Sequence, residues 1–117
     1  MKNKTVMARK EPAIKVTVTQ HILSKAPESK SFTLKDGRKI RNVLELVDEL
    51  ETMTEDNFKH FVTETENHFA NWIEGVFDTK DLARELRTIH TRMDTQRAIL
   101  KKLVRELIKT STTARPK

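Results

Sequence analysis

The sequence predicts a mainly α protein of the small α+β type, with a short N-terminal β-hairpin, two or three short helices and one long C-terminal helix that carries a heptad pattern. Three observations lead to this prediction. The 117 residues include only two glycines and three prolines, so turns are few. Apolar residues recur at helical spacing from residue 43 onward. Between residues 79 and 110 no glycine or proline interrupts the chain.

The chain is expected to divide into an arm, a small domain and a helix with a tail. Residues 1–30 are basic and predict a largely flexible arm, with one short strand over residues 14–19, where apolar and polar residues alternate. A small domain over residues 31–87 begins with a hairpin, because Asp36-Gly37 suits a tight turn between two short apolar segments. Residues 111–117 predict a flexible tail.

Capping residues mark the expected beginnings of the helices. Asn42 with Glu45 three residues later has the pattern of a capping box, and Thr54 can cap the next helix. The polar stretch over residues 63–67 is a point where the helical pattern can break. Asp78 is a suitable N-cap for the long helix, which we place over residues 79–110 and which would span roughly 45 Å.

A heptad stripe runs along this helix, with spacings that alternate between three and four residues. Its members are Leu82, Leu86, Ile89, Met93, Gln96, Leu100, Leu103 and Leu107, and those from Leu86 onward form the predicted oligomer seam. The seam packs either on the protein's own helices or on a second chain. Arg92 and Arg97 would repel each other across a parallel pair, so the pattern favours an antiparallel pair or a helical bundle.

The charge is arranged in three blocks that sum to a net charge of +6. Residues 1–41 carry eleven basic and three acidic side chains, residues 42–80 carry two and ten, and residues 81–117 carry ten and four. The basic blocks can pair with the acidic block, remain solvated, or bind phosphates. The candidate nucleic-acid contacts are Lys2, Lys4, Arg9, Lys10, Arg84, Arg87, Lys101, Lys102, Arg105 and Lys109.

Catalytic and metal-binding patterns are weak. His60, Glu64 and His68 are spaced four apart and would share a face of one continuous helix, which makes them a weak candidate for a zinc site. The sequence contains no cysteine, no phosphate-binding loop and no nucleophile motif, so we expect no catalytic residues, no cofactor and no enzymatic activity. It contains no apolar run of about 20 residues, so we expect a cytoplasmic protein that does not contact a membrane.

Residues 67–73 carry the motif Asn-x-Phe-Ala-Asn-Trp-Ile. With the Asp36-Gly37 pair and the leucine-spaced helix upstream, residues 32–87 resemble a family of small, mostly archaeal domains of unknown function. The family's usual His-Val-Asn and Asn-Asp segments are replaced here by Phe61-Val62-Thr63 and Asn67-His68. The resemblance therefore implies a domain but no activity. Phe69, Trp72 and Ile73 are expected to lie in the core.

Together these patterns predict a small basic interaction protein without enzymatic activity. We expect it to form a homo-oligomer, either a dimer or a bundle, through its long helix and to contact DNA or RNA through phosphates. One alternative is a protein–protein adaptor with no nucleic-acid role. A weaker alternative is a metal-binding protein or an enzyme, and no small-molecule substrate is expected.

Overall fold

The computed structural model describes residues 21–114, with side chains described as far as residue 111. The elements in chain order are a 3-10 turn (Glu28–Lys30), β1 (Phe32–Thr33), β2 (Lys39–Ile40), α1 (Val43–Thr52), α2 (Glu55–Phe61), α3 (His68–Phe77), α4 (Lys80–Leu86) and α5 (Arg92–Ala114). The predicted fold class is confirmed, since a short antiparallel hairpin precedes a set of helices and a long C-terminal helix. The expected strand over residues 14–19 lies outside the described residues.

The β-hairpin supplies one apolar face to the core. Phe32 pairs with Ile40 in an antiparallel register, and both side chains are buried. The connection turns at Gly37, whose φ of +93° is a conformation that glycine adopts without steric cost. The Asp36 carboxylate accepts a hydrogen bond from the backbone N–H of Arg38 and so fixes the turn.

The segment before the hairpin packs onto the core, which corrects the expectation of a flexible arm as far as residue 30. Ile22 and Ala26 are buried. The backbone N–H of Ala26 donates to the carbonyl of Arg41, and the Arg41 guanidinium donates back to the carbonyl of Ala26 at 2.8 Å. This reciprocal pair joins the segment to the strand β2, so the packed domain begins before residue 31.

The caps of α1 and α2 form as the sequence predicts. Asn42 Oδ1 accepts from the Glu45 N–H at 2.8 Å, and the Glu45 carboxylate accepts from the Asn42 N–H, which completes the capping box. Thr54 Oγ1 accepts from the Asn57 N–H at 3.1 Å at the start of α2. These bonds satisfy amides that a helix leaves open at its first turn.

The break between α2 and α3 falls in the polar stretch where it was expected. A short bridge pairs Val62 with Asn67, and the Thr63 hydroxyl accepts from the N–H groups of Thr65 and Glu66. Asn67 then caps α3 by accepting from the Ala70 N–H at 3.0 Å. Because α2 and α3 are separate helices, residues 60–68 do not share one helical face.

An aromatic cluster forms the centre of the domain. The ring of Phe32 lies 5.2 Å from those of Phe61 and Phe69 and 5.6 Å from Trp72. Trp72 also packs edge-on against Phe77, and its indole N–H donates to the carbonyl of Lys30 at 2.7 Å. Trp72 therefore connects α3 to the segment before the hairpin through both packing and a hydrogen bond.

The helix expected over residues 79–110 is two helices. The turn of α4 closes at Thr88, whose hydroxyl donates to the Glu85 carbonyl at 2.7 Å. A new helix begins after Thr91, whose hydroxyl accepts from the Asp94 N–H at 3.2 Å. Thr88, Ile89 and Thr91 are β-branched and have lower helix propensity than the residues around them. Side-chain bonds that compete with the helix therefore break it without glycine or proline.

Asp78 has a different role from the expected N-cap. It ends α3 in the left-handed conformation, with φ 52° and ψ 35°. Asparagine and aspartate tolerate this conformation better than other residues with a side chain. The N-cap position of α4 is Thr79, which makes no capping hydrogen bond through its side chain. Along residues 21–114, none of the helices combines the length and the apolar character needed to cross a membrane.

We predict that Trp72→Ala lowers the free energy of unfolding by about 3 to 5 kcal/mol, because the truncation leaves a cavity in the aromatic cluster and an unpaired carbonyl at Lys30. Urea unfolding followed by far-UV circular dichroism measures the loss. The matched control is Trp72→Phe, which keeps a ring and should cost less. Unchanged stability in Trp72→Ala would contradict the anchoring role of this residue.

Candidate functional site

The start of α5 is fastened to the end of α1 by polar contacts. The Arg92 guanidinium donates to the carbonyls of Leu50 and Glu51, which belong to the last turn of α1. Gln96 Nε2 donates to the Val47 carbonyl at 3.1 Å and to the Glu51 carboxylate at 2.9 Å. Carbonyls at a helix C-terminus are favourable partners for cations, and α1 has no basic residue of its own there. The two helices are therefore antiparallel, with residues 92 and 96 beside the C-terminal half of α1.

This attachment decides which face of α5 is buried. The inward face consists of Thr95, Ala98, Ile99, Leu103 and Glu106, all of which are buried. Their spacing of three, one, four and three residues places them on one side of the helix. This is the face by which α5 contributes to the domain core.

A second apolar stripe runs along the side of α5 that faces away from the domain, and we call it the outer face. Its members are at least 39% exposed, whereas the buried apolar residues of the core are at most 8% exposed. They are Met93, Leu100, Val104, Leu107 and Ile108. Large apolar side chains of soluble proteins are commonly exposed singly, but a contiguous row of them indicates a binding surface.

The heptad stripe expected from the sequence is divided by this arrangement. Leu82, Leu86 and Leu103 are buried within the chain, and Gln96 bonds to α1. Ile89 lies partly buried in the connection between α4 and α5. Only Met93, Leu100 and Leu107 of the predicted seam belong to the outer face. The predicted seam is thus corrected in two respects. Leu103 and Gln96 make contacts within the domain, and Val104 and Ile108 belong to the exposed stripe instead.

The outer face has two flanks of opposite charge. One flank belongs to α1 and consists of Leu44, Asp48 and Glu51, all exposed and spaced so that they share one side of that helix. Gln96 donates to the Val47 carbonyl and to the Glu51 carboxylate, and one further turn along each antiparallel helix, from Val47 and from Gln96, brings Leu44 beside Leu100. We call this the α1 flank. The other is the basic flank, formed by the exposed residues Arg97, Lys101 and Arg105 of α5.

The candidate nucleic-acid contacts divide into occupied and open cations. Lys102 Nζ lies 3.2 Å from Asp81 and 3.1 Å from Glu106, and Arg87 lies 2.8 Å from Glu74. Lys109 contacts Glu106 at 3.2 Å. Within residues 21–111, the exposed side chains Arg84, Lys101 and Arg105 have no carboxylate within 4 Å. Lys2, Lys4, Arg9 and Lys10 lie outside the described residues.

The ion pairs around Glu106 connect three parts of the chain. Glu106 is only 8% exposed and lies 3.4 Å from the imidazole of His21 as well as beside Lys102 and Lys109. The hydrogen bond from Lys102 holds the pKa of Glu106 below its ordinary value and outweighs the effect of burial. Burial acts to lower the pKa of Lys102, but its bonds to Glu106 and Asp81 outweigh this, and the pKa is raised. Lys102 therefore serves the fold rather than a phosphate.

The weak zinc candidate does not form. His60 lies in the last turn of α2, Glu64 lies in the following loop, and His68 begins α3. The His68 imidazole lies 3.3 Å from Glu66 rather than from Glu64. Within residues 21–114, no group of three histidine, aspartate or glutamate side chains is arranged to hold a metal ion.

A polar groove of about 280 Å³ lies beside the motif residues at 67–73. Asn67 is buried, and its amide donates to the Leu86 carbonyl at 3.0 Å while its oxygen caps α3. Asn71 accepts a hydrogen bond from Arg87 at 2.9 Å. Both asparagines thus tie the end of α4 to α3, and Phe69, Trp72 and Ile73 of the same motif are buried in the core.

Comparison of the chain with models of protein families, with curated proteins and with solved structures finds no match. The resemblance of residues 32–87 to the archaeal domain family therefore stays a prediction.

We predict that the Glu106 cluster makes stability depend on pH in the acid range. The pKa of Glu106 is lowered on folding from its ordinary value of 4.5, so its contribution is complete above that value and is lost as pH falls through the lower pKa of the folded state. Urea unfolding at neutral and acid pH should show a shallower pH dependence for Glu106→Gln, with a loss of about 1 to 2 kcal/mol at neutral pH.

The matched control for this measurement is Glu64→Gln, at an exposed loop carboxylate that forms no ion pair among the described residues. This variant should retain the acid dependence of the parent chain. An equally steep loss of stability toward acid pH in Glu106→Gln would contradict the assignment.

Proposed function

We propose that this protein is a non-enzymatic interaction module that self-associates through the outer face of α5. The observation that carries the proposal is the row of exposed apolar side chains on a helix whose other side is already fixed to the domain. A helix that is apolar on two sides buries one of them on its own chain and leaves the other for a partner. The described residues supply no segment that covers it.

The spacing of the outer face supports a helix as the partner. Met93, Arg97, Leu100, Val104, Leu107 and Ser111 follow one another at intervals of four, three, four, three and four residues. This is a heptad pattern in which Leu100 and Leu107 occupy equivalent positions and the β-branched Val104 lies between them. Its phase differs from that of the seam expected from the sequence, although three residues are common to both.

The charge of the flanks supports a second copy of this chain as that partner. The α1 flank offers Asp48 and Glu51, and the basic flank offers Arg97, Lys101 and Arg105. A surface that carries opposite charges on its two edges is complementary to itself, which is the requirement for a symmetric dimer.

Burial of the outer face accounts for a dimer of modest affinity. At about 2 kcal/mol for the full burial of each aliphatic side chain, covering the roughly half-exposed outer faces of two copies contributes on the order of 10 kcal/mol. This is comparable to the estimated cost of association, which is about 4 to 15 kcal/mol. At the lower end of this cost about 6 kcal/mol remains, which corresponds to a dissociation constant on the order of tens of micromolar.

We predict that Val104→Glu and Leu107→Glu each shift the chain to the monomer, because a carboxylate at the centre of the paired outer faces would be buried without a partner. Size-exclusion chromatography with light scattering, at a concentration where the parent chain dimerises, measures the shift. The matched control is Gly75→Glu, because a side chain at this helical glycine would meet no atom within 4 Å. If Val104→Glu dimerised as well as the Gly75→Glu control, the outer face would not be the interface.

Binding of a polyanion is a second candidate function, supported by the open cations Arg84 and Arg105. Phosphate contacts would contribute affinity without reading base sequence. In a gel shift with duplex DNA, we predict that Arg84→Gln/Arg105→Gln weakens binding, and that binding of the parent chain falls steeply between low and physiological salt. Lys35→Gln/Lys59→Gln removes the same charge from the hairpin turn and α2 and should bind as the parent does. Absence of a shift at low salt would remove this candidate.

A further inference from the structure

We infer that the α5 helices of the two copies are parallel and that the two-fold axis of the dimer runs parallel to them. The basic flank of each copy then faces the α1 flank of the other. The inference rests on the proposed function and adds to it the orientation of the pair and the residues that meet. It also differs from the antiparallel arrangement that the sequence pattern favoured, because the exposed seam is a different one.

The orientation follows from the position of the flanks. When two identical surfaces meet face to face, a two-fold axis along the helices places the left edge of one copy against the right edge of the other. An axis across the helices places like edges together instead. The α1 flank is acidic and the opposite edge carries Arg97, Lys101 and Arg105. Only the parallel arrangement therefore pairs the two opposite edges, and the antiparallel one places the two acidic flanks along the same edge of the interface.

The heights of the charged residues along α5 agree with this pairing. Gln96 donates to the Val47 carbonyl at 3.1 Å and to the Glu51 carboxylate at 2.9 Å, so residue 96 lies level with the turn of α1 between Val47 and Glu51. In a parallel pair in register, the partner's Glu51 then lies at the level of Arg97. Asp48 lies in this same turn of α1, and Lys101, about one turn later in α5 than Arg97, reaches toward that level because helical side chains extend toward the N-terminus of their helix.

The apolar part of the flank continues the same register. Leu44 lies one more turn along α1 and is exposed, as is Ile108 at the far edge of the outer face. In the parallel pair the partner's Leu44 therefore comes to the side of α5 that carries Ile108, at the level of Leu100. The contact of Leu44 thus follows the charged contacts along α5.

The seam residues are also those of a parallel two-stranded pair. Leu100 and Leu107 take the d positions of the heptad and Val104 takes the a position between them, the combination that favours two parallel strands. Arg97 takes another a position, where two like charges would otherwise meet. Its guanidinium is drawn toward the basic flank by Asp94, whose Oδ1 accepts from Arg97 at 3.3 Å. From that side it faces the partner's Glu51.

Arg92 no longer opposes the parallel arrangement. In the heptad phase expected from the sequence, Arg92 and Arg97 flanked the seam and repelled each other. In the structure Arg92 donates to carbonyls at the end of α1 and lies 3.2 Å from Glu55, so its charge is used within its own chain. Because the charge of Arg92 is used within its own chain, repulsion between Arg92 and Arg97 no longer excludes parallel helices.

Disulfide cross-linking tests the orientation directly, because the chain contains no cysteine. Met93→Cys and Ser111→Cys place single thiols near the two ends of the exposed seam. In a parallel pair each variant meets its own copy within disulfide distance and forms a covalent dimer on its own under mild oxidation. In an antiparallel pair, a covalent dimer forms only when the two variants are mixed.

The outcomes separate this inference from the proposed function. Covalent dimers of each variant alone, formed at a concentration where sedimentation shows the unmodified chain to be dimeric, support the parallel pair. Cross-linking only in the mixture overturns the orientation and leaves self-association through the outer face intact. A chain that sediments as a monomer and forms no cross-link overturns both.

A charge exchange provides the second test. Lys101→Glu should weaken the dimer by about tenfold, because the two-fold axis places the new repulsion against Asp48 twice. The double variant Lys101→Glu/Asp48→Lys should recover most of this loss, since it restores the pair with its signs reversed. Lys59→Glu, which makes the same charge change on α2, is the control. Weakening by Lys101→Glu that the second substitution does not relieve would overturn the contact.

Discussion

The arrangement of this domain depends on the contact between the first turns of α5 and the last turn of α1. Arg92 donates to the carbonyls of Leu50 and Glu51, which a helix cannot satisfy by itself at its C-terminus, and Gln96 donates to the carbonyl of Val47. These bonds fix both the position of α5 along α1 and its rotation about its own axis. The rotation in turn buries Ile99 and Leu103 and leaves Leu100 and Val104 outside. A rotation of α5 by one residue position, roughly 100°, would place Leu100 and Val104 where Ile99 and Leu103 now lie.

A helix with two apolar sides is informative about function because only one side serves the fold. The inward side of α5 also carries Glu106 and Lys102, whose charges are paired with each other and with Asp81. Lys102 would otherwise be open to a phosphate, but its ion pairs join α4 to α5. The outer face has no such internal role among the described residues. Its apolar stripe, with charged edges of opposite sign, is therefore the feature of the structure on which the proposed self-association rests.

Local signals in the sequence predicted the elements well where a cap or turn determines them. Asn42 with Glu45, Thr54 and Asp36-Gly37 all act as the sequence indicates, because each depends on neighbours within a few residues. The break at residues 87–91 was missed, because no glycine or proline marks it. Thr91 with Asp94 three residues later was the available signal, since a threonine that accepts from the third residue is a cap.

The choice of the exposed stripe could not be read from the sequence. Met93, Leu100 and Leu107 fit two heptad phases, one completed by Gln96 and Leu103 and the other by Arg97 and Val104. The two phases share the same apolar content, and the contact of Gln96 with Val47, a residue 49 positions away, distinguishes them. By contrast, His60, Glu64 and His68 fail to converge because of a local break over residues 63–67, at the polar stretch where the sequence predicted it.

The most direct test of the account is sedimentation equilibrium of the unmodified chain over concentrations from about 1 to about 200 µM, around the expected dissociation constant. The account predicts a weight-average mass that rises from near 13.6 kDa toward twice that value and fits a monomer–dimer equilibrium. A mass that stays at 13.6 kDa over the whole range would contradict the claim that a second copy covers the outer face of α5.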